Sequence, residues 1–236
     1  MRKIIIALVS FMMGMVLFLP YRTIFTYATE RIISEYNIPL TYQVDRAFLF
    51  SATYRGLSLG LSDRDISLPE TTLRITPLGY LSDATVCRIH SEGIDAVIRS
   101  LKGAYVIDLR MSSFRVPSLD NVTLKGTIKI EVAREDRGTG NISVDLTDLR
   151  LPLMGSTIKL KKVSGKGSFR KGRITIEGLS IRGGQDIDIK GFLIPNHRAF
   201  ENSTVNLDVV IKSNGSKTNQ KIRGQLKNLL RFINIK

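Results

Sequence analysis

The chain has 236 residues, with 35 lysines and arginines against 21 aspartates and glutamates, a formal net charge of +14, one cysteine and no tryptophan. A single cysteine excludes an intramolecular disulfide, so the fold cannot depend on an oxidising compartment, and about 200 residues beyond the first segment can bury a core of their own. The cationic excess points to an anionic partner: nucleic acid, an anionic membrane surface or an acidic protein.

The first segment, Ile4 to Tyr21, reads IIIALVSFMMGMVLFLPY. It holds about 18 residues without a charge, within the range that spans hydrocarbon. Ile4, Ile5, Ile6, Leu8, Val9, Phe11, Val16, Leu17, Phe18 and Leu19 make up its apolar body. A helix on a soluble core would carry a polar face, and this one has none. A cleaved secretory signal would end in a small-x-small site, whereas here large or cyclic residues follow, from Phe18 to Thr23. The segment is therefore expected to be an uncleaved, single-pass transmembrane anchor. Arg2 and Lys3 favour a cytoplasmic N-terminus, and a long domain crosses largely regardless of its charge, which places the bulk of the chain outside the cytoplasm. Export removes nucleic acid as a partner and leaves anionic lipid headgroups or acidic protein.

Residues 1–36 are read as anchor plus juxtamembrane helix, because Ile24, Phe25, Ala28, Ile32 and Ile33 continue at helical spacing. Pro20 is a candidate kink, and Asn37-Ile38-Pro39 ends the helix, since the residue before proline disfavours helical angles. Residues 37–216 then read as a mainly β domain. Short alternating runs follow one another at Leu40–Val44, Gly56–Leu61, Ile66–Leu68, Leu73–Ile75, Val86–His90, Ile94–Ile98 and Tyr105–Met111. The second half continues with Ile128–Val132, Ile142–Leu146, Ile158–Leu160, Ile174–Ile176, Ile187–Ile189 and Val205–Val209. One face of these runs is aliphatic and the other polar, the signature of an antiparallel sheet with one dry face. Almost no helix intervenes, which argues against βαβ units. Phe169-Arg170-Lys171-Gly172-Arg173 reads as a tight hairpin. The density of strand glycines fits a strongly curved sheet, either sandwich-like or an open groove. A groove would be lined by residues such as Ile128, Ile130, Ile142, Val144, Ile174 and Ile176.

The tail, residues 217–236, is expected to form a basic amphipathic helix. Ile222, Leu226, Leu229, Leu230 and Ile233 share one helical stripe, and the charges around them are all positive. Such a helix would lie on an anionic membrane or cap one end of the sheet against a partner.

Motifs for chemistry are sparse. His90 and His197 stand in no metal spacing, and Cys87 has no cysteine partner, so neither metal nor cofactor is expected. Gly165-Lys166-Gly167 opens like a dinucleotide loop but lacks the third glycine and the following helix. Asp186 and Asp188 share a strand face, as ordinary wet-face residues do. The run Lys159, Lys161, Lys162, Lys166, Arg170, Lys171, Arg173 reads as a solvated edge guarded against strand pairing, with a phosphate or acidic-protein patch as the alternative. No catalytic constellation is present, so an enzyme is not expected.

Four features together resemble the type II secretion system protein N family, within the broader group of AsmA-like periplasmic β proteins. They are the leading anchor, Leu73–Leu81 (LRITPLGYL), Gly165–Leu179 (GKGSFRKGRITIEGL), and Asp188–Ile194 (DIKGFLI) followed by a late strand at Val205–Ile211. The resemblance implies an inner-membrane protein with a periplasmic β domain, accessory to the export of folded proteins, whose partners are other secretion subunits. It supplies no catalytic residues. The alternative is a lipid-handling module that holds acyl chains of phospholipid or another anionic lipid in a β groove.

Overall fold

The structure, a computed structural model, describes residues 6, 10, 11, 14, 16–36, 38–61, 64–80, 84–115, 123–136, 138–153, 156–196, 202–213 and 216–227. The helix α1 (Tyr21–Tyr36) precedes fourteen strands. The first seven are β1 (Leu40–Phe48), β2 (Ser51–Leu61), β3 (Arg64–Leu68), β4 (Thr71–Ile75), β5 (Thr85–Ser91), β6 (Ile94–Leu101) and β7 (Ala104–Arg115). The rest are β8 (Thr123–Ala133), β9 (Thr139–Leu153), β10 (Ser156–Arg170), β11 (Arg173–Arg182), β12 (Asp186–Ile194), β13 (Thr204–Ser213) and β14 (Ser216–Gln225). A 3-10 turn, Pro77–Tyr80, lies where an apolar turn is expected from the sequence.

All strands belong to one antiparallel, curved sheet, in the order β1-β2-β4-β5 and then consecutively to β14. The long β2 pairs with β4 through its first residues and with β3 through its last. The expected β class is thus realised as an open meander: β1 and β14 stand at opposite ends of the order and do not pair. The hairpin at Lys171-Gly172 is present. Arg170 pairs with Arg173, and both central residues have positive φ, 47° and 75°, the geometry that suits the twist of a two-residue β-turn.

Two positions in the ladder use glycine of necessity. Gly126 (φ 141°) and Gly191 (φ 140°) sit where a Cβ would collide with the carbonyl oxygen of the neighbouring strand, Asp145 and Asn206 respectively. Only a residue without a Cβ lets the backbones approach there, and this is how a long sheet bends without losing its hydrogen bonds.

The tightest core is at the N-terminal end. Phe25 of α1 packs on Val44, Ala52 and Tyr54, with Tyr42, Ala47, Leu57, Leu73 and Ile75 around them. Two polar tethers fix the helix there: Tyr42 Oη donates to the Thr26 carbonyl (3.1 Å), and Thr29 Oγ1 and Tyr54 Oη lie 3.0 Å apart.

Two expectations need correction, the unbroken helix through Pro20 and the helical tail. Among the described residues no helix is long and apolar enough to cross a membrane. Ile4, Ile5, Leu8 and Val9 lie outside the described residues; Ile6, Phe11, Val16 and Leu17 are helical and exposed, and Phe18 and Leu19 form a turn and a bend. α1 is therefore not a continuation of the preceding helix. Pro20, which lacks an N–H and crowds the turn before it, interrupts the chain, and a new helix starts at Tyr21. The second correction is the tail. Residues 216–225 are β14, not helix, and Ile222 pairs with Leu207 of β13. The reason is the open edge of β13, whose backbone groups are satisfied by one more strand, and tertiary pairing overrides the helical spacing. Leu226 begins a helical turn, while Leu229, Leu230 and Ile233 lie outside the described residues.

We predict that Phe25→Ala costs about 3 kcal/mol by removing the buried ring that docks α1. Gly126→Ala costs about 2 kcal/mol through forced strain and a backbone clash. Gly178→Ala, at a position with open space and no positive φ, is close to neutral. Denaturant unfolding of the purified protein orders the three.

Candidate functional site: a half-covered aliphatic face

Strand alternation places every second side chain on one face, and the register shows that these faces align across the sheet. One row runs Ile98, Ile107, Ile130, Ile142, Gly167, Ile176, Gly191, Leu207, Ile222, each paired with the next. A second runs Ala96, Leu109, Ile128, Val144, Gly165, Leu179, Ile189, Val209. A third carries Tyr105, Val132, Gly140, Phe169, Ile174, Leu193 and Val205. The six residues named from the sequence, Ile128, Ile130, Ile142, Val144, Ile174 and Ile176, all lie in these rows. Ile128 is directly opposite Val144, and Ile130 directly opposite Ile142. Ile174 and Ile176 join them across β10, Ile174 opposite Phe169 and Ile176 opposite Gly167.

Side chains crowd over the glycines of this face. A Cβ on Gly165 would stand 2.8 Å from Leu179 Cδ1, and one on Gly140 would strike the Phe169 ring. Even so, all six candidate residues remain only half-buried. The reason is the absence of a second layer. Among the described residues the helix packs on β1 and the 3-10 turn on β5 and β6, and otherwise strands meet their sheet neighbours. α1 covers the aliphatic face at β1–β2, and from β7 to β14 the face has no cover of comparable extent.

Cys87 belongs to the same face, between Ile75 and Ile98. Burial pushes its thiol up from the ordinary range, so it stays protonated and unreactive. Burial likewise raises the Tyr54 phenol, against the opposing hydrogen bond from Thr29.

The opposite face is polar and holds short ion pairs. Its best-formed group is Asp188, which accepts from Ser180 Oγ at 2.7 Å, Lys212 Nζ at 3.1 Å and Arg182 Nη2 at 2.8 Å. The Ser180 hydroxyl leads, followed by Lys212 and Arg182, in holding its carboxyl down at about 2. Asp186 lies 3.8 Å from Arg182. The two aspartates thus brace neighbouring strands, and neither is poised to exchange a proton near neutrality. Lys162 of the basic run pairs with Asp145 at 3.4 Å. His90 Nδ1 meets Asp95 at 2.5 Å, whereas His197 lies outside the described residues. Among the described residues no group of three or more metal-ligating side chains converges.

With this geometry in hand, comparison with known proteins finds no matching family model, no matching curated protein and no matching solved structure.

Asp188→Asn is expected to lower stability by about 1 kcal/mol at neutral pH, through loss of charge-assisted bonds. The folded-state carboxyl titrates below its ordinary value near 3.8, so its stabilisation is present above that value and is lost as pH falls toward about 2. Melting curves of the two proteins should therefore converge across that window.

Proposed function

We propose that this chain is a non-enzymatic, membrane-anchored component of a type II protein secretion assembly, with its β domain in the periplasm. The observation that carries the proposal is the docking of α1 on the first strands of one open sheet. An apolar segment starting at Ile4 leads into this helix, so the tether and the start of the sheet are mechanically joined. The far end of the sheet and its uncovered face are left to meet partners. The sequence resemblance to type II secretion protein N supports the same reading. Deletion of the gene is expected to stop export of folded substrates and to be rescued by the full chain, which should co-purify with other subunits of the assembly. Unimpaired export from the deletion strain would count against the proposal.

A specific observation favours a second reading, a lipid-handling module of the AsmA-like kind. The aliphatic rows are continuous from β6 to β13, and their middle members, such as Ile128, Ile130, Ile142, Val144, Ile174 and Ile176, are only half-buried, as a trough for acyl chains requires. Lipid extracted from the purified protein should be present in stoichiometric amount. It should fall sharply in Ile142→Glu, on the aliphatic face, and persist in Ser143→Glu, on the polar face. Protein free of lipid after gentle purification rejects this reading.

A further inference from the structure

Charged side chains of β4–β7 line a concavity of about 690 Å³, whose wall also takes in Ile89, Ala96 and Val97. Its register gathers arginines from several strands into one hollow. Arg74 of β4 lies directly opposite Arg88 of β5. In the adjacent row His90 pairs with Asp95, and Asp95 with Arg110. Four guanidiniums line this hollow, Arg74, Arg88, Arg99 and Arg110, against two carboxylates, Asp95 and Asp108.

Both carboxylates are already engaged, Asp108 by Arg99 and Asp95 by His90. Glu131, three strands from Arg88, is held by Lys129 at 2.7 Å. Arg74, Arg88 and Arg110 therefore have no carboxylate within ion-pair distance among the described residues. Like charges directly opposite on a sheet are destabilising, because their Cβ atoms stand only about 5 Å apart. An arrangement that costs stability in the free protein and sits in a concavity points to a ligand that neutralises it.

We infer that Arg74, Arg88 and Arg110 form a binding site for a phosphate monoester. Guanidiniums present forked donors that match phosphate oxygens, and a monoester carries a charge of about −1.5 to −2 near neutrality, enough to bridge two or three of them. The hollow is much larger than a phosphate, so it also admits the alcohol to which the phosphate is esterified. Two sources share this chemistry, a free phosphorylated metabolite and the headgroup of a lipid that ends in a monoester. The inference does not rest on the secretion or lipid-trough readings, because its three arginines lie outside the aliphatic rows.

The test uses the full chain in nonionic detergent at constant ionic strength, so that screening is matched throughout. Probes are glycerol 3-phosphate, and dihexanoyl phosphatidic acid against dihexanoyl phosphatidylcholine. Binding is read by calorimetry and by the shift in melting temperature. Arg88→Gln and Arg110→Gln should weaken binding about ten-fold or more. Unliganded Arg88→Gln should melt no lower than the parent, because it relieves a like-charge pair. The double variant Lys159→Gln/Lys161→Gln, in the other basic run, should bind like the parent. Binding of both probes, sensitive to the arginines, supports a site for the phosphate group from either source. Binding of phosphatidic acid alone, with the same sensitivity, assigns the lipid headgroup. The inference is overturned if neither probe binds, if phosphatidylcholine binds as well as phosphatidic acid, or if binding survives both arginine substitutions.

Discussion

Every strand of this protein takes its backbone partners from the strands beside it, and that ladder is the constraint on which the remaining features depend. Because the ladder is antiparallel and alternation is kept across bulges, one face collects isoleucine, leucine and valine over most of the sheet while the other collects charge. A sandwich would hide the first face under a second sheet. Here the structure spends its one docked helix on β1 and β2 and leaves the remaining aliphatic rows half in water. Buried apolar area is therefore modest for a chain of this length. The ladder, cross-strand side-chain pairs and ionic braces such as Asp188 carry a correspondingly greater share of cohesion.

The two faces suit different chemistry. The aliphatic face is without converged polar groups and holds a thiol that burial keeps protonated. It can offer contact area and exclude water, but it does not activate a nucleophile. Parts of the polar face are neutralised by pairs such as Arg182 with Asp188 and Lys129 with Glu131. Cation faces cation at several places in the register, Lys159 opposite Arg150 and Lys162 opposite Arg182 among them; the pair Arg74 and Arg88 differs in lining a concavity together with two further arginines.

Much of the fold is legible in the residues themselves. Period-two runs such as Ile128-Lys129-Ile130-Glu131-Val132 admit one arrangement on a half-wet sheet, and Lys171-Gly172 supplies the two positive φ values of a tight hairpin. The aliphatic lining follows from the same alternation, which is why Ile130 and Ile142 could be named together before their register was known. The tail departs from its helical spacing for a physical reason. Ile222, Leu226, Leu229 and Leu230 fit a helical stripe, yet Ser213 pairs with Ser216 across a two-residue connection whose sequence is Asn214-Gly215. That dipeptide is the strongest short-range hairpin signal a sequence carries, and it outweighs the stripe. Pro20 likewise ends one helix and frames another instead of merely bending it. The arginine cluster was not legible. Arg74, Arg88 and Arg110 are far apart in sequence, and only the register of four strands brings them into one hollow.

The meander order has a consequence for how the molecule comes into being. Since no strand waits for a distant segment, each new hairpin can add to a finished edge as the chain emerges, beginning at the end fastened by α1. Assembly is directional, like a zip closed from its anchored end. The last strand to arrive, lysine-studded β14, leaves an exposed rim whose charge discourages further copies from extending the row.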